Sequence, residues 1–380
     1  MAQLSFLIKP ASALCNQRCR YCFYEDEAAH RAVKNRGMMS EETAGRLIRA
    51  ACAEAGRGGE LLFAFQGGEP TLAGLPFFRR FVELVNGSAA PGTRVSYSIQ
   101  TNGSLLDAEW AAFLAENRFL VGLSLDGSRE MHDLNRVDAE GKGTWGRTVK
   151  ALRLLQKSGV EVNLLCVVTG QLARRPQQMY NSLKRLGVRY LQFIPCLDPI
   201  GNARGSAAYS LRAEEYGAFL CRLFDLWYED WKRGEYVSVR LFDDYVHILC
   251  GEPVSACSAS GRCGSYLVAE SDGSLYPCDF YALDEWRLGD LRDGRSLKAI
   301  AECETARRFL AGSEERPNAC RACRWFFLCR GGCRRDWCER DGETVNGFCE
   351  SFRRFFPHSI DRLREIAAAE IAFTRGLPRQ

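Results

Sequence analysis

CNQRCRYC, residues 15–22, holds three cysteines spaced C-x3-C-x2-C and follows a β-like run, LSFLIKP (4–10). Structural zinc sites and fully ligated four-iron clusters take four protein ligands. A three-cysteine motif therefore either borrows a fourth ligand from elsewhere or leaves one metal position open for chemistry. Its place, in a loop at the C-terminal end of a first strand, is the end where parallel α/β folds put their active sites. Three thiolates there suit three irons of a four-iron cluster whose fourth iron takes a small chelating ligand. A zinc site or buried structural thiols are the alternatives that spacing alone leaves open.

Outward from this motif, the chain reads as alternating strands and helices. LSFLIKP, ELLFAFQ (60–66), RVSYSIQ (94–100), FLVGLSL (119–125), VEVNLLCVV (160–168) and YLQFIP (190–195) are short apolar runs rich in β-branched or aromatic residues. Amphipathic stretches beginning at Ser40, Leu75, Leu106, Thr144 and Pro176 separate them. Ser40 with Glu41 and Glu42 predicts a helix start, and Gly159 and Gly187 predict helix stops. Six β-α units in succession imply a parallel sheet with right-handed crossovers. Two further helical stretches follow Tyr209, and a tail from Phe352 reads as helical after Pro357. The expected divisions are 1–235 for the α/β part, 236–350 for a connecting helix and a cysteine-rich domain, and 351–380 for a C-terminal helix.

Bulk composition narrows the function classes. The 380 residues include 51 basic and 47 acidic side chains with no basic block, which argues against a dedicated nucleic-acid binder. The longest apolar stretch, VNLLCVV, is far below a membrane span, and MAQLSFLIKP lacks the charged n-region of a secretory signal. Eighteen cysteines in such a chain point to metal or redox chemistry in a reducing compartment, the cytoplasm by default, rather than to disulfides.

Ten of the cysteines fall between Cys257 and Cys349, where long periodic segments are few, so packing there is expected to depend on metal. SACSASGRCGSYLVAESDGSLYPCDFY and NACRACRWFFLCRGGCRRDWC…FC contain C-x5-C-x14-C and then C-x2-C-x5-C-x3-C with a final Cys349. Eight thiolates suit two further four-iron clusters, with two zinc sites as the alternative. Cys303 and Cys338 are left over, and Cys52, Cys166, Cys196, Cys221 and Cys250 sit in apolar patterns as small hydrophobes. A second motif, Gly67-Gly68-Glu69-Pro70 after the second strand, lets another group approach the backbone, and Glu69 with nearby carbonyls is positioned to hold an amino group.

With CNQRCRYC, aromatic Tyr21, the GGEP turn and six β-α units, the sequence resembles the radical S-adenosylmethionine (SAM) superfamily, and its second cysteine group resembles the SPASM extension. The resemblance implies a partial (β/α)6 barrel carrying a C-terminal SPASM domain, SAM, and three [4Fe-4S] clusters. Their ligands would be Cys15, Cys19 and Cys22; Cys257, Cys263, Cys278 and Cys333; and Cys320, Cys323, Cys329 and Cys349. LIKPAS, FAFQGGEPTLAG, SIQTNG, FLVGLSLDG, LNR (134–136), LQFIPCLDP, FDLWYED, ESDGSLYPCDFY and CRWFFLCRGGCRR extend the likeness over nearly the whole chain. They resemble the anaerobic sulfatase-maturating enzymes, which oxidise a cysteine or serine in a C/S-x-P-x-R segment to Cα-formylglycine.

That likeness implies SAM contacts at Tyr21, Gly68, Ser124, Arg136 and Leu197, with Arg136 suited to a carboxylate by its planar fork. It implies that Asp279 takes the target's thiol or hydroxyl proton, beside a cluster able to accept an electron; Asp272 and Asp284 are nearby competitors, and Asp272 in S-D-G reads as a turn residue. A sulfatase polypeptide and an external one-electron reductant such as flavodoxin or ferredoxin are the implied partners of a monomeric enzyme. The competing readings are a SPASM enzyme that cross-links or epimerises a ribosomal peptide, and a non-catalytic iron-sulfur carrier or zinc adaptor. His30, His132, His247 and His358 show no metal spacing, and GKGTWG (141–146) reads as a loop.

Overall fold

The structure, a computed structural model, describes residues 3–374; Met1, Ala2 and residues 375–380, the last six of the expected C-terminal segment, lie outside them. In chain order the strands are β1 (Gln3–Ile8), β2 (Glu60–Phe65), β3 (Arg94–Thr101), β4 (Leu120–Ser124), β5 (Val162–Val168), β6 (Tyr190–Pro195), β7 (Ser238–Val239), β8 (Leu267–Ala269), β9 (Ser274–Tyr276), β10 (Gly289–Asp290), β11 (Trp337–Arg340) and β12 (Glu343–Asn346). Two compact units form from separated stretches of chain. Among the described residues, one comprises 3–125, 132–163 and 264–312, the other 126–131, 164–263 and 313–374.

In the first unit β1 to β4 pair in sequence order and all parallel. β8 joins the free side of β1, also parallel, and β9 and β10 follow antiparallel. The helix Glu41–Ala55 starts as expected, Ser40 accepting a hydrogen bond from the Thr43 amide. The next-but-one long helix begins at Ala108 rather than at Leu106, because the Asp107 carboxylate caps the Trp110 amide. Phe6, Phe63, Phe65, Phe78, Phe81 and Phe119, none more than 1% exposed, form the centre of the core. The Phe65 ring lies 4.8 Å from Phe78 and 5.0 Å from Phe81, both edge-on. Each such side chain contributes about 1.5–3 kcal/mol by burial, so the strand ends that carry the site are held on a stiff base.

In the second unit β5 pairs with β6 and β6 with β7, again parallel. Helices Ala213–Lys232, Arg240–Cys250 and Cys349–Thr374 pack together through Phe224, Phe242 and Phe355, with ring centroids 5.2 and 5.6 Å apart. The last helix corrects the sequence reading: it begins at Cys349 and runs through Pro357 instead of starting after it. A mid-helix proline costs about 3 kcal/mol, but Phe355 and Phe356, fully buried just before it, and Ile360 and Leu363 just after it outweigh that cost. Between residues 313 and 349 only short pieces form, including the β11–β12 hairpin, which turns on Asp341 and Gly342, both at positive φ. Gly159 and Gly187 end their helices as expected. No helix among the described residues is long and apolar enough to cross a membrane.

Candidate active site and cluster ligands

Cys15, Cys19 and Cys22 occupy the loop between β1 and the helix Phe23–Ala29. Two neighbours shape this loop. The segment carrying Arg136 pairs with it antiparallel, the Arg18 amide donating to Val137 at 2.7 Å and the Arg20 amide to Asn135 at 2.9 Å. The GGEP turn presses from another side: Gly68 has φ +53°, and a Cβ there would stand 2.2 Å from the Leu14 carbonyl oxygen. The group that approaches the glycines is thus the chain's own cysteine loop. Glu69 is buried, and its carboxylate accepts from the Thr71 amide and hydroxyl, the Thr101 hydroxyl and the Asn102 amide. Those donors occupy it, which corrects the expectation that its side chain holds an amino group.

Burial pushes the Cys15 thiol up to about 12, opposed by the Gln17 amide and reinforced by Glu69, Cys19 and Cys22. Burial also raises Cys22, against the amides of Glu25 and Tyr24 and the Arg136 guanidinium. The three sulfurs are close enough to feel one another, and N–H groups of Gln17 and Asn102 point at Cys15 Sγ from 3.4 and 3.9 Å. Desolvated thiols of this kind ionise only beside a bound cation, so the residues fit an iron site. Arg136 is buried with its guanidinium 5.4 Å from the Tyr21 ring centre, a cation–π contact that brings two expected SAM-contacting residues together. Ser124, buried, is the last residue of β4, and Leu197, half-buried, follows β6 in the second unit.

Asp279 is 3% exposed and opens a short turn after Cys278. Its Oδ2 accepts from the Tyr24 hydroxyl at 2.6 Å and from Gln66 Nε2 at 3.3 Å, and Gln66 also donates to Tyr24 at 2.6 Å. Lys9 Nζ lies 3.2 Å from Asp279 Oδ1 and 3.2 Å from Glu27 Oε1. Glu27 pairs in turn with Arg31, and Arg31 with Glu270 at 2.7 Å. Burial, then Asp279, hold the Tyr24 phenol well above its ordinary range, so it is a donor. Asp272 is occupied instead by the Ser274 amide and Arg36, and Asp284 by the Ala32 amide. Sequence reasoning missed Lys9, Tyr24 and Gln66. Lys9 and Gln66 are the first residues past β1 and β2, the ends that parallel sheets give to function, and that position was the available signal.

In the second unit Cys320, Cys323, Cys329 and Cys349 line one cavity of about 160 Å³. Burial raises Cys329 to about 12, against the Gly331 amide, with Cys320, Cys349 and Cys323 adding to it. This is the quartet expected from the sequence. Of the other expected quartet, burial raises both Cys257 and Cys263 in the second unit, Cys263 adding to the rise at Cys257, and the Arg335 amide donates to Cys333 Sγ at 3.4 Å. Cys278 belongs to the first unit, 3.8 Å from the Tyr266 hydroxyl. Cys303 Sγ accepts from the Ala306 amide at a helix start, and Cys338 pairs with Val345 in the hairpin. Among the described residues no three His, Cys, Asp or Glu side chains are arranged to hold a single metal ion.

Residues 10–183 match the radical SAM superfamily model, and residues 257–324 match the model of an iron-sulfur cluster-binding SPASM domain. The fold and cysteine loop thus define a radical SAM enzyme with a SPASM domain. Over 369 residues the chain is 44% identical to the cysteine-type anaerobic sulfatase-maturating enzyme of Clostridium perfringens, covering 97% of this chain and 99% of that one. It is 33% identical to the serine-type enzyme of Klebsiella aerogenes, over 94% and 85%. The solved structure of native anSMEcpe with bound AdoMet and Cp18Cys peptide matches with a TM-score of 0.90, 44% identity and coverage of 96% and 99%. The chain belongs to the anaerobic sulfatase-maturating enzymes.

Proposed function

We propose that the enzyme oxidises the cysteine or serine of a sulfatase C/S-x-P-x-R segment to Cα-formylglycine, in the cytoplasm and as a monomer, with an external one-electron carrier such as flavodoxin or ferredoxin. Cys15, Cys19 and Cys22 hold the first cluster, with one iron left for SAM. Cys257, Cys263, Cys278 and Cys333, assigned from the sequence pattern alone, hold the second, and Cys320, Cys323, Cys329 and Cys349 the third. When bound, the reduced first cluster and SAM supply a carbon radical able to abstract an unactivated hydrogen atom. Tyr21, Gly68, Ser124, Arg136 and Leu197 position SAM, Arg136 as the partner of its carboxylate.

Asp279 is the residue that carries this reading. Tyr24 and Gln66 fix its Oδ2, while no hydrogen-bond donor among the described residues occupies Oδ1, although Lys9 stands near as a charge. That oxygen is available to accept the thiol or hydroxyl proton of the target. Removing it makes the substrate carbon easier to oxidise. Since the cysteine-type relatives are 44% identical and the serine-type ones 33%, cysteine is the expected preference.

The test is anaerobic. Reconstituted protein is given SAM, a strong reductant and short peptides carrying C-x-P-x-R or S-x-P-x-R, 5'-deoxyadenosine is quantified, and aldehyde is trapped with a hydrazine for mass spectrometry. Trapped aldehyde is expected, more on the cysteine peptide. Deoxyadenosine without aldehyde would move the assignment to peptide cross-linking or epimerisation.

A further inference from the structure

RPNACRACRWFFLCRGGCRR, residues 316–335, has six arginines and no acidic residue, in a chain whose 51 basic and 47 acidic side chains otherwise nearly balance. The same segment supplies Cys320, Cys323 and Cys329. Three of its arginines are committed to carbonyls of the second unit: Arg316 donates to Gly261, Arg330 to Ala259 and Arg335 to Asp198. Arg321 and Arg324 are exposed and flank the C-x2-C step, Arg324 lying 4.6 Å over the Trp325 ring. Two more exposed arginines, Arg340 and Arg353, line the four-cysteine cavity itself. The acid among the cavity-lining residues, Glu350, pairs with Arg353 at 3.4 Å. Phe327 adds a 44%-exposed ring in the same segment.

Arg321, Arg324 and Arg353 face solvent with Glu350 as the acid beside Arg353, while Arg340 is offset by Glu343 across the hairpin, and such exposed charges contribute little to stability. They do create a positive field that steers an acidic partner and speeds its encounter. An aromatic side chain within such a field suits the small, transient contacts that redox partners make. The cysteines beneath are half-exposed, so whatever docks here stands close to the cavity they line.

From this we infer that the arginine face around Cys320 and Cys323 docks an acidic one-electron carrier protein of the flavin or iron-sulfur class. The inference rests on reading the four-cysteine cavity as a cluster site. It does not require the product to be formylglycine, because carrier binding is measured without SAM or peptide.

Flavodoxin serves as the probe, titrated calorimetrically into the full reconstituted chain and into its Arg321→Glu/Arg324→Glu variant at 50 and 200 mM salt. Parent binding is expected to weaken steeply with salt, and the variant to bind at least tenfold more weakly at 50 mM. Iron content and thermal midpoint are expected to match the parent's; if they do not, Arg321→Gln/Arg324→Gln is read in its place, with a smaller loss expected. Equal dissociation constants for parent and variant, or parent binding that ignores salt, would overturn the proposal. So would a variant that keeps flavodoxin binding but loses a C-x-P-x-R peptide, which would give the face to the substrate.

Discussion

Asp279 holds a carboxylate where water does not reach, and its neighbours set what that carboxylate can do. With Lys9, Glu27, Arg31 and Glu270 it forms a buried string of three acids and two cations. Breaking such a string by removing one member leaves its partner uncompensated, at about 3–5 kcal/mol. Lys9→Met is therefore expected to lower stability by that order in denaturant titration. The double variant with Asp279→Asn should recover part of the loss, because the orphaned charge goes too; a double variant that loses the sum of both would contradict the pairing. Asp279→Asn alone should leave deoxyadenosine formation in place and slow aldehyde formation about 10²–10⁴-fold, the usual worth of a general base. Equal aldehyde yields would remove the base assignment. Asp279 was singled out from the sequence because the family resemblance gave the residue after Cys278 the role of base, and its burial beside Tyr24 and Gln66 is what the structure adds. Lys9 was not, since its partners lie 18 and 270 residues away and a lone lysine past a strand reads as a solvated end.

Turns and helices in this chain are set by two kinds of information. Capped helices were readable because Ser40 and its acids, or Gly159 and Gly187, act within one turn. The helix through Pro357 was not, because burial of Phe355 and Phe356 against other helices decides it, and local propensity gives no hint of that. The GGEP turn was legible as a close approach, though not for its actual neighbour, the Leu14 carbonyl. Gly68→Ala meets both that oxygen and a positive φ, so it should destabilise the loop by more than about 1 kcal/mol. The measurable outcome is selective iron loss after reconstitution: the first cluster's spectroscopic signal falls while auxiliary iron stays. Full retention of all iron with normal SAM cleavage would show that the loop tolerates the shift.

At the scale of the molecule, two regimes of stability coexist. The first unit rests on a broad aromatic core, whereas residues 313–349 form only short elements around their cysteines, of which Cys320, Cys329 and Cys349 are raised by burial. Cluster ligation is folding free energy for such a region. Chelating the iron anaerobically should therefore raise hydrogen exchange across 316–349 well before it does so across 41–116. Uniform exchange in both would mean the cysteine-rich part holds its shape unaided. The cysteine spacing is what raised this expectation from the sequence. The return of residues 264–312 to the first unit was not readable, because β8 and β9 are three-residue strands with no periodicity to detect.

That return has a consequence for synthesis. β1 leaves the ribosome well before its second parallel neighbour, β8, which starts only at Leu267. At about 5–20 residues per second, the nascent chain spends roughly 13–50 seconds with one edge of β1 unpaired, and an open strand edge is a template for intermolecular pairing. Covering that edge during translation with a holdase is therefore expected to raise the yield of intact polypeptide before any iron is delivered.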